Sequence, residues 1–233
     1  VWAGTSAPYH WDGQRWTGFN VTGIFDGYIN KMWGTSSSNL FIVGTNGSVA
    51  HYNGSVWRKM ESGTTVDLQD IWGIDEQHIW AVGTTGDLRR SVVLQYNGKQ
   101  WSHLFDSFGQ ERELDLRFES LWTVNSAVTF LAGLSGQRSL ISNERIFRRI
   151  GTAGIFASFR IRGTAQNDLF VASQGSELQH FNGSTWFLYS DIKFLNAGYA
   201  WWYSVHPAKD FVAVGGSFFT GLNGIPVVLR GIR

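Results

Sequence analysis

Histidine, carboxylate and guanidinium groups are the side chains in this sequence with chemistry to offer, and their spacing argues against a reaction centre. His10, His51 and His180 each stand two residues before an Asp or Asn that is followed by Gly, and Gln95 takes the same slot in a fourth copy. A strand residue facing its cross-strand neighbour recurs in this way, whereas metal ligands and catalytic bases have to converge. His78, His103 and His206 stand singly near turns, and no two histidines have zinc-ligand spacing. Cys is absent, which removes a disulfide scaffold, a thiolate metal site and a Cys nucleophile. The acids Asp70, Asp75, Asp106, Asp115, Asp168, Asp191 and Asp210 are scattered and form no calcium-loop run. Neither Gly-x-Ser-x-Gly nor a phosphate loop occurs. The expectation is a non-enzyme with no catalytic residue, no metal and no cofactor.

Basic and aromatic residues offer binding instead. Arg145, Arg148 and Arg149 are followed by Arg160 and Arg162, and Arg162 stands where the repeats described below carry Trp. A guanidinium in an aromatic slot needs a partner or water. The functional reading is an anion site built on Arg149, Arg160 and Arg162, for a carboxylate or a sulfate on a glycan. The structural reading is an ion pair with Glu144 or Asp168. Trp201-Trp202-Tyr203 reads as an aromatic platform for sugars, with at least one of the three in the core. Residues 105–116 form a longer, charged connection of the kind that carries recognition. Four Asn-x-Ser/Thr sequons occur, at Asn20, Asn46, Asn53 and Asn182, and the last two arise from turn chemistry.

The elements that must position these residues are repeats. An apolar residue, Trp and Gly or Thr recur at Met32-Trp33-Gly34, Ile71-Trp72-Gly73 and Leu121-Trp122-Thr123, with Ile161-Arg162-Gly163 as a variant. Each is followed by a short apolar strand, as in Leu40–Val43, Ile79–Val82, Thr129–Ala132 and Leu169–Ala172. A fifth copy is looser, with Trp202-Tyr203 and then Phe211–Gly215, and Val1–Gly4 matches a sixth strand end. A second signature is an aromatic, Asn or Asp, Gly, and an aromatic four positions after the Asx: Trp11/Trp16, Tyr52/Trp57, Tyr96/Trp101 and Phe181/Trp186, with Asn143-Glu144 degraded. Asx-Gly between apolar runs predicts a two-residue type I′ turn, pairing Tyr52 with Ser55 and Ala50 with Trp57.

A period of about 40–45 residues with four short strands is that of a β-propeller blade. The expected fold is all-β, a six-bladed propeller of four-stranded antiparallel blades and one domain over residues 1–233. A closing segment upstream of Val1 is expected to pair with Pro226–Arg230. The alternative is five blades, with residues 1–18 completing the C-terminal one.

Of 233 residues, 43% are apolar and 16% charged, against about 25% charged on average, and the net charge is +1. That balance gives no electrostatic case for nucleic acid or an anionic membrane, and no apolar run is long enough to span a bilayer. The blade pattern, Trp-Gly, a strand ending Val-Gly, then an aromatic-Asx-Gly hairpin ending in Trp, resembles a group of secreted bacterial propeller proteins. The resemblance implies an extracellular, cell-surface or periplasmic protein with a binding or scaffolding role. Three functions follow in order: a protein-interaction or structural subunit of a surface or envelope assembly, a carbohydrate-binding propeller, and a propeller hydrolase or lyase.

Overall fold

The computed structural model describes residues 1–87, 89–108, 117–134, 157–189, 198–221 and 223–232, and the backbone alone of 137–141 and 146–151. The chain divides into two compact units, Val1–Arg117 and Phe118–Arg233.

The first unit opens with a small sheet, β1 (Trp2–Gly4), β2 (Pro8–Trp11) and β3 (Trp16–Gly18), in that order. Two four-stranded meanders follow. One is β4 (Ile29–Ser36), β5 (Asn39–Gly44), β6 (Val49–Tyr52) and β7 (Trp57–Met60). The other is β8 (Leu68–Gly73), β9 (Ile79–Thr84), β10 (Ser91–Tyr96) and β11 (Trp101–Asp106). The second unit holds β12 (Phe118–Thr123), β13 (Val128–Gly133), β14 (Gln137–Ile141) and β15 (Ile146–Gly151), then β16 (Ser158–Ala165), β17 (Asp168–Ser173), β18 (Leu178–Phe181) and β19 (Trp186–Tyr189). It ends in three nine-residue strands, β20 (Tyr199–Pro207), β21 (Phe211–Phe219) and β22 (Gly224–Ile232). Every pairing is antiparallel between consecutive strands.

Six complete blades are not what the chain forms. Four sheets have four strands, and the long-stranded β20–β22 sheet makes a fifth blade. Residues 1–18 build a separate sheet with strands only three or four residues long, the last of them exposed along its length. That sheet is too small to bury two faces as a blade must, so the count corresponds to the five-blade alternative.

Large apolar side chains hold neighbouring sheets together. Phe41, Val43 and Val49 of one blade share a core with Leu68, Ile71, Ala81 and Leu94 of the next. In the second unit Phe170, Ala172 and Leu178 pack with Ala200, Trp202, Val212 and Val214. Alternation along each strand supplies these faces.

The first strand of all five blades carries an irregularity at one shared position: Ile29/Lys31, Leu68/Asp70, Phe118/Ser120, Ser158/Arg160 and Trp202/Ser204. One extra residue at each point re-aims the side chains that follow. This landmark aligns the copies. Trp33, Trp72, Trp122 and Arg162 fall in one slot, and the fifth occupant is His206, not Trp202 as the looser sequence match has it.

The Asx-Gly turns also differ from expectation. Tyr52 pairs with Trp57 and Ala50 with Lys59, so four residues lie in the loop rather than two. Asn53 Oδ1 accepts from the N–H groups of Ser55 (3.1 Å) and Val56 (3.0 Å), and only Gly54 has positive φ, at 91°. The Asx side chain organises the longer loop from inside, which removes the need for the left-handed pair of a type I′ turn. Asp12, Asn97 and Asn182 repeat the arrangement.

Candidate functional site

The recurrent histidines are structural. His51 lies opposite Phe41 and stacks on it at 4.3 Å, and His180 does the same with Phe170 at 4.3 Å. His10 stacks on Trp2 at 4.6 Å. His51 Nε2 donates to Asn39 Oδ1 at 2.6 Å, and His180 Nε2 donates to Asp168 Oδ1 at 2.9 Å. The acceptor in both blades stands at the start of the second strand, so each histidine closes the hairpin beside its stacked ring. Burial pushes the His51 imidazole below its ordinary value, which keeps it neutral at pH 7.

Arg162 sits in the Trp slot, buried, and Nη1 donates to Leu121 O (2.9 Å), Ile161 O (2.7 Å) and Ser120 Oγ (3.2 Å). Its head therefore turns back onto β12. Trp33 lies against Gly73 of the following blade, where a Cβ would come within 2.5 Å of the indole, and Trp122 lies against Gly163, where it would come within 3.0 Å. The position that follows the slot is Gly34, Gly73, Thr123 and Gly163 in the first four blades and Pro207 in the last. Arg160 stands next to Glu119, whose carboxyl is pushed up by burial against the opposing pull of the Arg160 charge. Arg149 lies in β15 with its backbone opposite Arg138, and its side chain is outside the described residues. Arg145, Glu144 and loop residues 109–116 are also outside them. Asp168, the sequence-proposed ion partner, accepts from His180 and from Thr164 Oγ1.

Trp201 is where the structure gathers something new. Trp202 is fully buried in the core, and its neighbours Trp201 and Tyr203 face the other way, half-buried and 41% exposed. Tyr199, 45% exposed, joins them from two residues upstream. Phe219 of β21 stacks on Tyr199 at 5.2 Å and sits 5.4 Å from Trp201. Phe159 of β16 lies 6.4 Å from Trp201 and 5.5 Å from Tyr203. The indole and the Tyr203 ring are 6.5 Å apart and nearly perpendicular, at 86°. Five rings from three strands thus form one continuous wall, with Tyr199 and Tyr203 exposed and the other three half-buried. Among the described residues Tyr199 Oη, Trp201 Nε1 and Tyr203 Oη make no hydrogen bond. Alternation predicts that residues 201 and 203 share a face; the contributions of Phe159 and Phe219, 42 and 18 positions from Trp201, had no sequence signal.

Two concavities adjoin these sheets. One of about 460 Å³ is apolar, lined by Phe170, Leu178, Val212, Val214 and Leu229, with His180 and Arg230 at its polar margin. Arg230 lies over the Phe211 ring at 4.8 Å. The other, about 510 Å³, is open and lined by Phe130, Gln166, Asn167 and Phe181. Neither lining contains a carboxylate pair. Among the described residues no group of three His, Asp or Glu is placed to hold a metal ion. Among the described residues no helix is long and apolar enough to cross a membrane.

No family model matches the chain, and no curated protein matches it. Solved structures do. A structure of YCF48 bound to D1 peptide superposes with a TM-score of 0.64 at 13% identity, covering 97% of this chain and 76% of that one. YCF48 from Cyanidioschyzon merolae gives 0.69 at 10% identity, with 98% and 77% covered. Saccharomyces cerevisiae Sqt1 gives 0.59 at 11%, with 91% and 64% covered. At these identities the likeness is one of fold, and the fold is an all-β propeller.

Proposed function

We propose that this propeller is a non-catalytic protein-interaction module that binds its partner on the aromatic wall of Phe159, Tyr199, Trp201, Tyr203 and Phe219. The observation that carries the reading is five contiguous rings, Tyr199 and Tyr203 exposed and the other three half-buried, three of them with an uncommitted N–H or O–H among the described residues. Tyr and Trp are the residues that dominate protein recognition, because each offers a large apolar face and one polar tip. A solved structure of similar fold holds a peptide, which supports the same class of ligand here. Export to the cell surface or periplasm, as part of an envelope assembly, belongs to the proposal through the resemblance of the blade pattern.

A glycan is the second reading. Sugar hydroxyls call for acid, amide or guanidinium groups beside the rings, and β20 and β21 carry none of these side chains along their whole length. Arg160, adjacent to Phe159, is the nearest candidate in sequence.

Panning a random peptide library on the purified protein, with a glycan array run in parallel, tests the reading. Peptides enriched on the native protein should lose at least about tenfold in affinity with Trp201→Ala. Enriched peptides indifferent to Trp201→Ala would overturn it, as would binding confined to glycans.

A further inference from the structure

We infer that the open edge of β22, with the apolar cavity beside it, takes an extended segment of a partner protein that presents an aromatic ring to the cavity and an acid to Arg230. None of the residues concerned belongs to the aromatic wall, so this is a second site beyond the one proposed above.

The first unit shows what fills such a space. There Tyr96 and Trp101, on the third and fourth strands of one blade, pack on Phe41 and Val49 of the blade before it. Tyr96 and Trp101 stand opposite each other with ring centroids 5.3 Å apart. Tyr52 with Trp57 and Phe181 with Trp186 repeat the pair at 5.2 and 5.0 Å. The irregularity shared by the first strands carries this register to the last blade. Leu40 opposite Tyr52 there corresponds to Val212 opposite Gly231. Gly231 thus stands where three other blades have an aromatic. Among the described residues no fourth strand lies on the outer edge of β22 to supply the Trp.

The cavity of about 460 Å³ lies at this place. Phe170 and Leu178, its walls on the preceding blade, hold the register positions of Phe41 and Val49. Val212, Leu229 and Gly231 line the other side. A Cβ on Gly231 would come no closer than 4.0 Å to any atom outside its chain neighbours, so the space opens directly from the backbone. The volume is that of a ligand cleft, and the shape is left by two rings that the other blades provide themselves.

The edge sets how the ring arrives. β22 is nine residues long and leaves Ile225, Val228 and Ile232 exposed. A long, apolar, unpaired edge is a surface for strand addition. An antiparallel strand in the register of β7, β11 and β19 places its aromatic opposite Gly231, its next residue opposite Arg230 and its third opposite Leu229. Arg230 is exposed and is the one charge of β22, so an acid facing it completes a cross-strand ion pair. A second copy of β22 is the wrong occupant, because Gly-Ile-Pro-Val-Val-Leu-Arg-Gly-Ile has no aromatic for the cavity and no acid for Arg230.

A fluorescein-labelled peptide, Thr-Trp-Glu-Leu-Thr-Val-Lys, titrated into the protein by fluorescence anisotropy, tests the inference. It should bind saturably, with a dissociation constant on the order of 10–500 μM. Replacing its Trp by Ala should weaken binding at least about tenfold. Gly231→Trp, which fills the cavity from β22 itself, should do the same, with thermal unfolding to show that the variant folds. Arg230→Glu should weaken binding about threefold, and a peptide with Lys in place of Glu should restore it, a comparison that stands even if Gly231→Trp does not fold. Trp201→Ala should change nothing. No saturable binding up to about 1 mM, binding indifferent to the peptide's Trp or to Gly231→Trp, or a charge swap without rescue overturns the inference. Self-association that the peptide cannot displace assigns the edge to a second copy and overturns it too. A peptide that depends on Trp201 instead of Gly231 docks on the aromatic wall, which overturns this inference and upholds the protein-binding reading. Failure of the wall to bind any peptide leaves this site standing.

Discussion

Two parts of the molecule are equally rich in aromatic rings and behave in opposite ways. In the first unit Trp2, Phe19, Tyr52 and Trp57 touch one another at 5.1–6.0 Å. Tyr52 and Trp57 are buried there, and Tyr52 Oη donates to Gly54 O at 2.9 Å. In the second unit the rings around Trp201 are spaced similarly, but two of them are more than two-fifths exposed and their polar tips are unpaired. Ring density is therefore no guide to role. What separates packing from recognition is whether a neighbouring strand covers the rings, since unused indole N–H groups occur even in the packed cluster, at Trp2 and Trp57.

The sharpest form of the contrast lies between adjacent residues. Trp202 is fully buried among Phe170, Ala172, Val212 and Val214. Trp202→Ala should remove about 3–5 kcal/mol of stability, since truncating a core indole loses its burial and leaves a cavity. Chemical denaturation followed by far-UV circular dichroism would measure it. A loss below about 1 kcal/mol would mean the face assignment along β20 is wrong.

Much of this was legible in the sequence, and the parts that were not have physical reasons. The strands, their order and the recurring His slot follow from apolar alternation and from Asx-Gly loops, both local signals. The turn register was missed because Asn53 accepts two backbone N–H groups and so supports a four-residue loop that no composition distinguishes from a shorter one. The Trp slot of the last blade was hidden because His206-Pro207 stands in for Trp-Gly, and only the shared irregularity at Trp202/Ser204 reveals it. The blade count was overestimated because residues 1–18 repeat the signature without the strand length a blade needs. Trp201 was visible as a candidate; the wall that gives it meaning needs Phe159 and Phe219, brought in by tertiary packing.

An ionic contact within one blade behaves differently from the apolar packing between blades. At the outer end of β10 and β11, Arg90 makes a two-pronged pair with Asp106, 2.9 and 2.6 Å, while His103 Nε2 donates to Gly63 O at 3.0 Å and Nδ1 stands 3.3 Å from Asp106. The Arg90 hydrogen bonds hold the Asp106 carboxyl below its ordinary value. A depressed carboxyl contributes stability above its unfolded value of about 3.9, and that contribution is lost as pH falls through the folded value. Asp106→Asn should cost about 1–3 kcal/mol at pH 7. The deficit relative to the native chain should shrink below about pH 4, in urea titrations at each pH. A deficit that stays constant with pH would show that the carboxylate charge is not what Arg90 reads.

The Trp–Gly pairing between blades can be broken in a graded way. Arg162→Trp restores the repeat residue but points an indole at the slot of Pro207, where Gly73 and Gly163 make room elsewhere. It should cost about 1–3 kcal/mol by overpacking and by losing the Arg162 hydrogen bond to Leu121 O. Adding Pro207→Gly should recover part of that loss, so a double-mutant cycle should give a favourable coupling of at least about 0.5 kcal/mol. Strict additivity would mean that the two slots do not face each other.

The smallest effect falls on the open wall. Tyr203 is 41% exposed, its Oη makes no hydrogen bond among the described residues, and its ring lies beside those of Phe159 and Trp201. Tyr203→Ser should shift stability by no more than about 0.5–1 kcal/mol, the range of surface substitutions. The same variant should lose most of the affinity for an aromatic-dependent ligand. Stability and binding are thus uncoupled at residue 203 and tightly coupled at residue 202. A large stability loss in Tyr203→Ser, matching that of Trp202→Ala, would place the wall in the core and erase the distinction on which its binding role depends.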